Sequence, residues 1–355
     1  MSSDKPRAQD ALLDEQKELV EQIWRTLKYS SLMLIGPKGI GKTYILEHVI
    51  QNRRNNFKPI YINANHDREN LDSVRKSLIE ELSVVHRNYS LIGSIFKSSS
   101  LQTPRNSSLS KLASKVANSL DDNEFLLLVL DDFTELLNSK NEIESRQLMD
   151  ELRHLRMTND KIRMVVSGRN IDELGLQYSD VSFFNDLKVL TVEALSKKST
   201  KKLISQLIKT SENKKYLKKI INLMSPIDMG YPIIIKTIFS LLDSRFKSDR
   251  LELTSTEDLK FELDAIIERM WKNVTSRLTD DDSDELENIA KYLSTHKHLV
   301  PEENLIKNDR QRNYLLKILE QEGFIRRSNN NISFTHKVLE DWVNSHIKNK
   351  NYQKR

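Results

Sequence analysis

The stretch that decides the fold reads Gly36-Pro37-Lys38-Gly39-Ile40-Gly41-Lys42-Thr43. It follows the apolar run of residues 32–35 and precedes residues 44–50, whose apolar spacing is typical of a helix. Glycines let successive backbone N–H groups turn inward to form a concavity that holds an anion. The helix behind the turn adds the positive end of its dipole. A strand, a glycine-rich turn and a helix in this order predict a phosphate-binding loop.

The side chains of this loop suggest how a nucleotide would be held. Lys42 is expected to reach the β- and γ-phosphates, and the Thr43 hydroxyl to ligate Mg²⁺. The predicted ligands are ATP or ADP with Mg²⁺. The predicted contacts with the nucleotide run continuously through Gly36, Pro37, Lys38, Gly39, Ile40, Gly41, Lys42, Thr43 and Tyr44.

Composition narrows the class of protein. The chain has 355 residues, 30% of them charged and 38% hydrophobic, which is long enough for two or three domains. It has no cysteine, so disulfides, thiolate metal sites and thiol catalysis are excluded. No apolar run approaches the ~18 residues of a membrane-spanning helix, and the polar N-terminus lacks the apolar centre of a signal peptide. A cytoplasmic location away from membranes is therefore expected.

Strand and helix patterns alternate through the first 195 residues. Helices are predicted over residues 9–28, 42–52, 71–85, 111–120 and 142–157. Strands are predicted over residues 32–35, 59–64, 125–131, 162–168 and 187–192. This alternation predicts an α/β core, a three-layer P-loop NTPase with a parallel five-stranded sheet. Residues 86–112, rich in Ser, Asn and Thr, are expected to form a long connection or insertion.

Two carboxylates end the most apolar predicted strand, residues 125–130. Asp131 is expected to complete the Mg²⁺ site begun by Thr43. Asp132 is placed to polarise the attacking water; because it is shorter than the glutamate of many ATPases, hydrolysis is expected to be slow. Ser167, Gly168 and Arg169 end another predicted strand. Arg169 either neutralises charge on the γ-phosphate or lies in an ordinary turn.

Helical patterns replace strands after residue 195. Gly230-Tyr231-Pro232 interrupts them, with Pro232 suited to begin a helix. The predicted domains are an ATPase core (1–195), a helical lid (196–278), a winged helix (279–348) made of three helices and a hairpin, and a disordered basic tail (349–355).

Basic residues cluster in two places. The first cluster lies in the lid and contains Lys197, Lys198, Lys201, Lys202, Lys209, Lys214, Lys215, Lys218 and Lys219. The second lies in the predicted winged helix and contains Arg310, Arg312, Lys317, Arg326 and Arg327. Either set could contact a nucleic-acid backbone, or it could form a solvated face of a module that binds proteins.

The pattern as a whole resembles the signal-transduction ATPases with numerous domains (STAND), in the AAA+-related branch of P-loop NTPases. Four features carry the resemblance: the phosphate loop, the double-aspartate strand 128–133, Gly230-Tyr231-Pro232, and Phe334-Thr335-His336 with Leu339-Glu340-Asp341-Trp342 behind it. The resemblance implies that Pro232 packs near the adenine and that His336 contacts the β-phosphate of ADP. Members of that family usually carry an effector or a repeat sensor as well, and this chain shows neither pattern.

Three functions are compatible with the sequence. The first is an ATP-binding, slowly hydrolysing switch whose nucleotide state controls domain arrangement and assembly with protein partners or with itself. The second is an origin-recognition or loader type of AAA+ protein that binds DNA through its winged helix. The third is a structural subunit that nucleotide merely stabilises. Hydrolysis could also draw on an arginine supplied in trans, for which the candidates are Arg146, Arg153, Arg156 and Arg169.

Overall fold

The computed structural model describes residues 12–64, 71–93, 109–134, 142–168, 183–209, 230–246, 256–296, 300–301, 303–306, 310–328, 331–335 and 337–347. Two compact units emerge from these residues. One comprises Gln16–Gly36 and Lys42–Val192, and is called the core unit below. The other, the C-terminal unit, comprises the described part of residues 1–15, together with Pro37–Gly41 and the described part of residues 193–355.

Strands and helices alternate in the core unit as the sequence predicts. Its strands are β1 (Leu32–Ile35), β2 (Phe57–Asn63), β3 (Phe125–Asp131), β4 (Ile162–Gly168) and β5 (Lys188–Thr191). Its helices are α1 (Asp14–Leu27), α2 (Lys42–Gln51), α3 (Leu71–Gly93), α4 (Leu109–Asn118) and α5 (Glu142–Thr158).

The five strands form one parallel sheet in the order β2-β3-β4-β1-β5. This confirms the predicted α/β fold with a parallel five-stranded sheet. Five residues of β3, from Leu126 to Leu130, are buried, as an apolar strand covered by helices on both faces requires. Ser31 directly precedes β1, and its hydroxyl accepts a hydrogen bond from the Met164 N–H of β4 at 2.9 Å.

An apolar cluster fills one side of the sheet. Ile60 and Ile62 of β2 pack there with Leu112 and Val116 of α4, which presents a strongly apolar face. Tyr61 and Asn63 lie on the opposite face of β2, because successive side chains of a strand alternate. The polar face of β2 therefore turns away from this cluster.

The C-terminal unit is mostly helical and contains a small sheet near its end. Its helices are α6 (Lys197–Lys209), α7 (Pro232–Phe246), α8 (Thr256–Thr275), α9 (Asp280–Thr295), α10 (Glu303–Ile306), α11 (Arg310–Gln321) and α12 (Lys337–Trp342), the last continued by a π-helical turn, Val343–Ile347. Its strands are β6 (Val300–Pro301), β7 (Ile325–Ser328) and β8 (Asn331–Phe334). The strands form an antiparallel sheet in the order β6-β8-β7.

An aromatic cluster joins α8 to the elements that follow it. The Trp271 ring meets Phe324 edge-on with centroids 5.3 Å apart, and it lies 5.8 Å from the ring of Trp342. All three side chains are buried. Helix α8, which lies before residue 279, thus shares a core with residues of the segment that follows it.

Two details differ from the sequence prediction. The expected connection over residues 86–112 was wrong at both ends, since residues 86–93 continue α3 and residues 109–112 begin α4. Ser, Asn and Tyr in residues 88–90 weaken the apolar pattern there without breaking a helix. The short strand β6 was not predicted. The basic tail, residues 349–355, lies outside the described residues. Of the described helices, none combines the length and the apolar character needed to span a membrane.

Candidate nucleotide-binding site

The phosphate loop connects β1 to α2. Lys42 is buried at the first position of α2, and its Nζ donates a hydrogen bond to the Gly36 carbonyl at 2.7 Å. The Gly36 N–H donates in turn to the Gly168 carbonyl at the end of β4. Gly39 and Gly41 have φ values of 78° and 107°, a region that residues with a Cβ avoid. The loop conformation therefore requires glycine at both positions.

A fully buried carboxylate lies at the end of β3. Asp131 has no exposed surface, and three uncharged donors surround it. Tyr61 donates to Oδ2 at 2.9 Å, and Ser167 donates to Oδ1 at 2.5 Å. The Asp132 N–H also donates to Oδ1, at 3.1 Å. Hydroxyl groups from β2 and β4 thus hold the end of the strand that lies between them.

Asp132 has an unusual backbone conformation. Its φ of 52° makes it the one residue other than glycine with a positive φ among those described. This turn aims its N–H at the Ser167 Oγ, 2.7 Å away, as well as at Asp131. Strained backbone of this kind clusters at functional sites, where surrounding contacts enforce it.

The buried Asp131 charge suits a metal ion. Within the described ranges no ion pair joins Asp131 to a basic side chain, although burying an uncompensated carboxylate is costly. A cation held jointly by Asp131, the Thr43 hydroxyl and phosphate oxygens would compensate this charge. Among the described residues, no group of three or more His, Cys, Asp or Glu side chains is arranged to hold a metal ion. Mg²⁺, which uses few carboxylates and keeps its waters, fits this donor set.

The sheet order sets the distance between the two ends of the site in the core unit, which are the Gly36 end of β1 and the Asp131 end of β3. β1 and β3 both pair with β4, so one strand separates the Gly36 end from the Asp131 end. Two strand spacings are roughly 10 Å, a gap that a phosphate chain with its metal ion can bridge. Parallel strands also end at the same edge, where α/β proteins bind ligands.

Within the C-terminal unit, the first turn of α7 touches the phosphate loop. The Ile233 N–H faces the Gly39 carbonyl at 3.4 Å, and a Cβ at Gly41 would lie 3.8 Å from the Pro232 Cγ. Pro232 is buried and begins the helix, as its position in the sequence predicted. Tyr231 packs on the other side against Gly323, where a Cβ would lie 3.0 Å from its ring.

The remaining predicted contacts fall in several places. Lys38 is exposed, Ile40 is buried, and Tyr44 lies on α2 with its ring 6.0 Å from that of His48. Arg169 and His336 lie outside the described residues.

Two of the candidate trans arginines form ion pairs with the same aspartate of the core unit. Arg153 and Arg156 both contact Asp186, at 3.3 and 3.1 Å. Burial lowers the pKa of Arg156 while the Asp186 charge opposes this change. Arg156 also lies over the Phe183 ring, 5.7 Å from its centroid. Its guanidinium is therefore part of the packing rather than a group presented to a neighbour.

The role of Tyr61 was not foreseen from sequence. Burial, followed by the charge of Asp131, raises the pKa of Tyr61, so its hydroxyl remains a donor. The sequence did contain one indication of where Tyr61 lies. It stands between two core isoleucines, so its side chain points to the other face of the strand.

Comparisons with known proteins agree with this geometry. Residues 25–176 match the AAA domain family. A Walker-type ATPase of Pyrococcus abyssi has a similar structure, with a TM-score of 0.65 and 14% identity over 96% of this chain and 98% of that one. The Aeropyrum pernix ORC2 protein in ADPNP-ADP complexes is similar with a TM-score of 0.55 and 15% identity, covering 99% and 98% of the two chains. No curated protein matches the chain in sequence. The family match therefore lies within the first half of the chain, and the two solved structures show that the fold is shared.

Proposed function

We propose that this chain is an ATP-binding, slowly hydrolysing molecular switch of the STAND or AAA+ type. In this proposal ATP or ADP binds at Gly36–Thr43, with Mg²⁺ held by Thr43 and Asp131. Mg²⁺, when bound, would neutralise phosphate charge. Lys42 binds the terminal phosphates, and Asp132 accepts a proton from the attacking water. The A. pernix ORC2 protein, similar in fold, was solved with adenine nucleotides of this class.

The switch is supported by one observation in the C-terminal unit. The first turn of α7 contacts the phosphate loop through Ile233 and contacts Gly323 through Tyr231. The Gly323 carbonyl accepts a hydrogen bond from the Thr335 hydroxyl at 2.6 Å. A change in the loop on nucleotide binding would therefore be transmitted through α7 to the last hairpin. We interpret residues 279–348, with helices α9 to α11 and the three-stranded sheet, as a winged helix.

In this proposal, three more residues have roles that are inferred from the predicted pattern and the family resemblance. Pro232 would pack near the adenine, His336 would contact the β-phosphate of ADP, and Arg169 would neutralise γ-phosphate charge. A switch needs different affinities of the open and closed states for ATP and ADP, because a ligand that binds both equally shifts nothing. Protein partners, or further copies of the chain, would read the closed or open state.

Hydrogen exchange tests the switch directly. Exchange over residues 310–347 is expected to differ between the ATP, ADP and nucleotide-free states. Tyr231→Ala should remove this difference while ATP still binds, because the contact with Gly323 is lost. Tyr314→Ala, a substitution at a residue that is 48% exposed on α11, is the matched control and should behave as the wild type. Identical exchange in all three nucleotide states would contradict the proposal.

DNA binding of the origin-recognition type is the second candidate, favoured by the whole-chain similarity in fold to ORC2. The described arginines of the C-terminal segment give it limited support. Arg312 contacts Glu285 at 2.6 Å, and Arg327 contacts Glu320 at 3.3 Å, so much of their charge is already paired. Arg326 is exposed. Measuring the affinity for duplex DNA at two salt concentrations distinguishes the two candidates. A steep fall of this affinity with salt, made less steep by Arg326→Ala, would favour DNA binding.

A further inference from the structure

The Asp131 carboxylate is held by donors from the two neighbouring strands, β2 and β4, and from the residue that directly follows β3. Its Oδ1 accepts from the Ser167 hydroxyl and from the Asp132 N–H, whereas its Oδ2 accepts from Tyr61 alone among the described residues. A carboxylate has about four lone-pair sites over its two oxygens. Two are used at Oδ1 and one at Oδ2, which leaves one lone pair of Oδ2 for a further partner.

We propose that Tyr61 is a positioning residue, whose hydroxyl orients the Asp131 carboxylate so that the remaining lone pair of Oδ2 faces the metal ion of a bound nucleotide. This inference rests on the proposed function. Tyr61 itself does not contact the metal or the nucleotide. It acts by fixing the rotation of the fully buried carboxylate about its Cβ–Cγ bond.

The register of the sheet explains why a tyrosine is needed at this position. β2 pairs with β3 so that Asn63 lies opposite Asp131, and Tyr61 lies opposite Val129, two residues earlier. Two residues along a strand span about 6.6 Å, close to the length of a tyrosine side chain from Cα to hydroxyl. Only a long side chain with a terminal donor can reach Oδ2 from there. The Asn63 amide also lies 3.5 Å from the Tyr61 hydroxyl.

The environment keeps this phenol in its donor form. Burial is the largest cause that raises the pKa of this hydroxyl, followed by the charge of Asp131, the hydrogen bond to Asp131 and the charge of Glu47. Glu47 lies on α2, the helix that follows the phosphate loop.

Equilibrium binding of a fluorescent ATP analogue separates positioning from simple structural support. Tyr61→Phe keeps the ring and removes only the hydroxyl. We expect the Mg²⁺ concentration that gives half-maximal enhancement of binding to rise about tenfold, as the loss of one hydrogen bond to a charged group implies. Affinity for the analogue in excess EDTA should stay within about twofold, because the phosphate loop is untouched. Tyr29→Phe, at a residue that is 83% exposed, is the control and should match the wild type.

Each outcome bears on a different claim. An unchanged Mg²⁺ dependence in a Tyr61→Phe protein that binds the analogue overturns the inference and leaves the proposed function intact. An equal loss of affinity with Mg²⁺ and with EDTA also overturns it, because it shows a structural role only. If the wild type itself binds no analogue with Mg²⁺, the proposed function fails and the inference falls with it. Thermal unfolding of the metal-free variants confirms that all of them are folded.

Discussion

Substitution of Asp132 separates a backbone effect from a chemical one. The residue has a φ of 52°, and its N–H donates to both the Asp131 carboxylate and the Ser167 hydroxyl. Asn and Ala each remove the carboxylate that we expect to accept a proton from water. They differ in how well they tolerate the left-handed conformation. Comparing the two variants with each other therefore measures the backbone effect, and comparing both with the wild type measures the chemical effect.

The backbone effect can be estimated from the conformation. A left-handed residue with a Cβ costs roughly 1–2 kcal/mol, but Asn and Asp lower this cost with local hydrogen bonds from their short polar side chains. Asp132→Ala should therefore be about 1 kcal/mol less stable than Asp132→Asn. In a unit of 150–250 residues this free energy corresponds to about 2–4 °C in Tm. The core unit, Gln16–Gly36 with Lys42–Val192, falls within that range of size.

The chemical effect should be common to both variants. Loss of a general base typically lowers the rate by about 10²–10⁴-fold, and both variants should show this loss in single-turnover hydrolysis of ATP. ATP affinity should persist in Asp132→Asn, because the substitution preserves the N–H contacts to Asp131 and Ser167. Thermal unfolding without nucleotide gives the stability difference.

Two results would refute this reasoning. Equal unfolding temperatures of the Asn and Ala variants would show that the left-handed conformation is not what restricts position 132. Hydrolysis at the wild-type rate in Asp132→Asn would show that another group accepts the proton.

Two further predictions concern the loop and the base of the sheet. Gly39→Ala should lower Tm for two reasons: the new Cβ would lie 2.4 Å from the Ile233 Cγ2, and the backbone has a φ of 78°. Adding Ile233→Ala should restore only the part of the Tm that the clash removed. Full restoration of the Tm would argue against backbone strain. Lys58, 2.7 Å from Glu124, holds the pKa of that carboxyl below its ordinary 4.5. The ion pair therefore stabilises the fold above that ordinary value and is lost as pH falls through the lowered pKa, so Glu124→Gln should lower Tm at about pH 7 but not at about pH 3. A Tm difference that persists in acid would contradict this assignment.

The order of elements could be predicted from local patterns. The apolar run ending at Asp131, and the glycine loop between a strand and a helix, each predict their structure from neighbouring residues alone. The continuation of α3 through residue 93 could not be predicted this way, because polar residues hide its period. β6 could not be predicted either, since a two-residue strand exists only through its pairing with β8.

The finer geometry of the site depends on contacts between distant parts of the chain. Tyr61 and Asp131 are 70 residues apart, and only the register of β2 on β3 brings the hydroxyl to the carboxylate. The pairing of Arg312 with Glu285 likewise depends on how α11 packs on α9. Counting charges in the sequence overstates the positive charge that such arginines present to DNA.

Calorimetric titration with ATP and Mg²⁺ tests the central claim, that Gly36–Thr43 forms the binding site of a nucleotide, most directly. The wild type should bind one nucleotide per chain. Lys28→Ala, at an exposed lysine outside the loop, should bind equally well. Lys42→Ala should give no binding heat, because it removes the buried ammonium that lies 2.7 Å from the Gly36 carbonyl at the mouth of the loop. Absence of heat with the wild type, or equal heat with Lys42→Ala, would contradict the account.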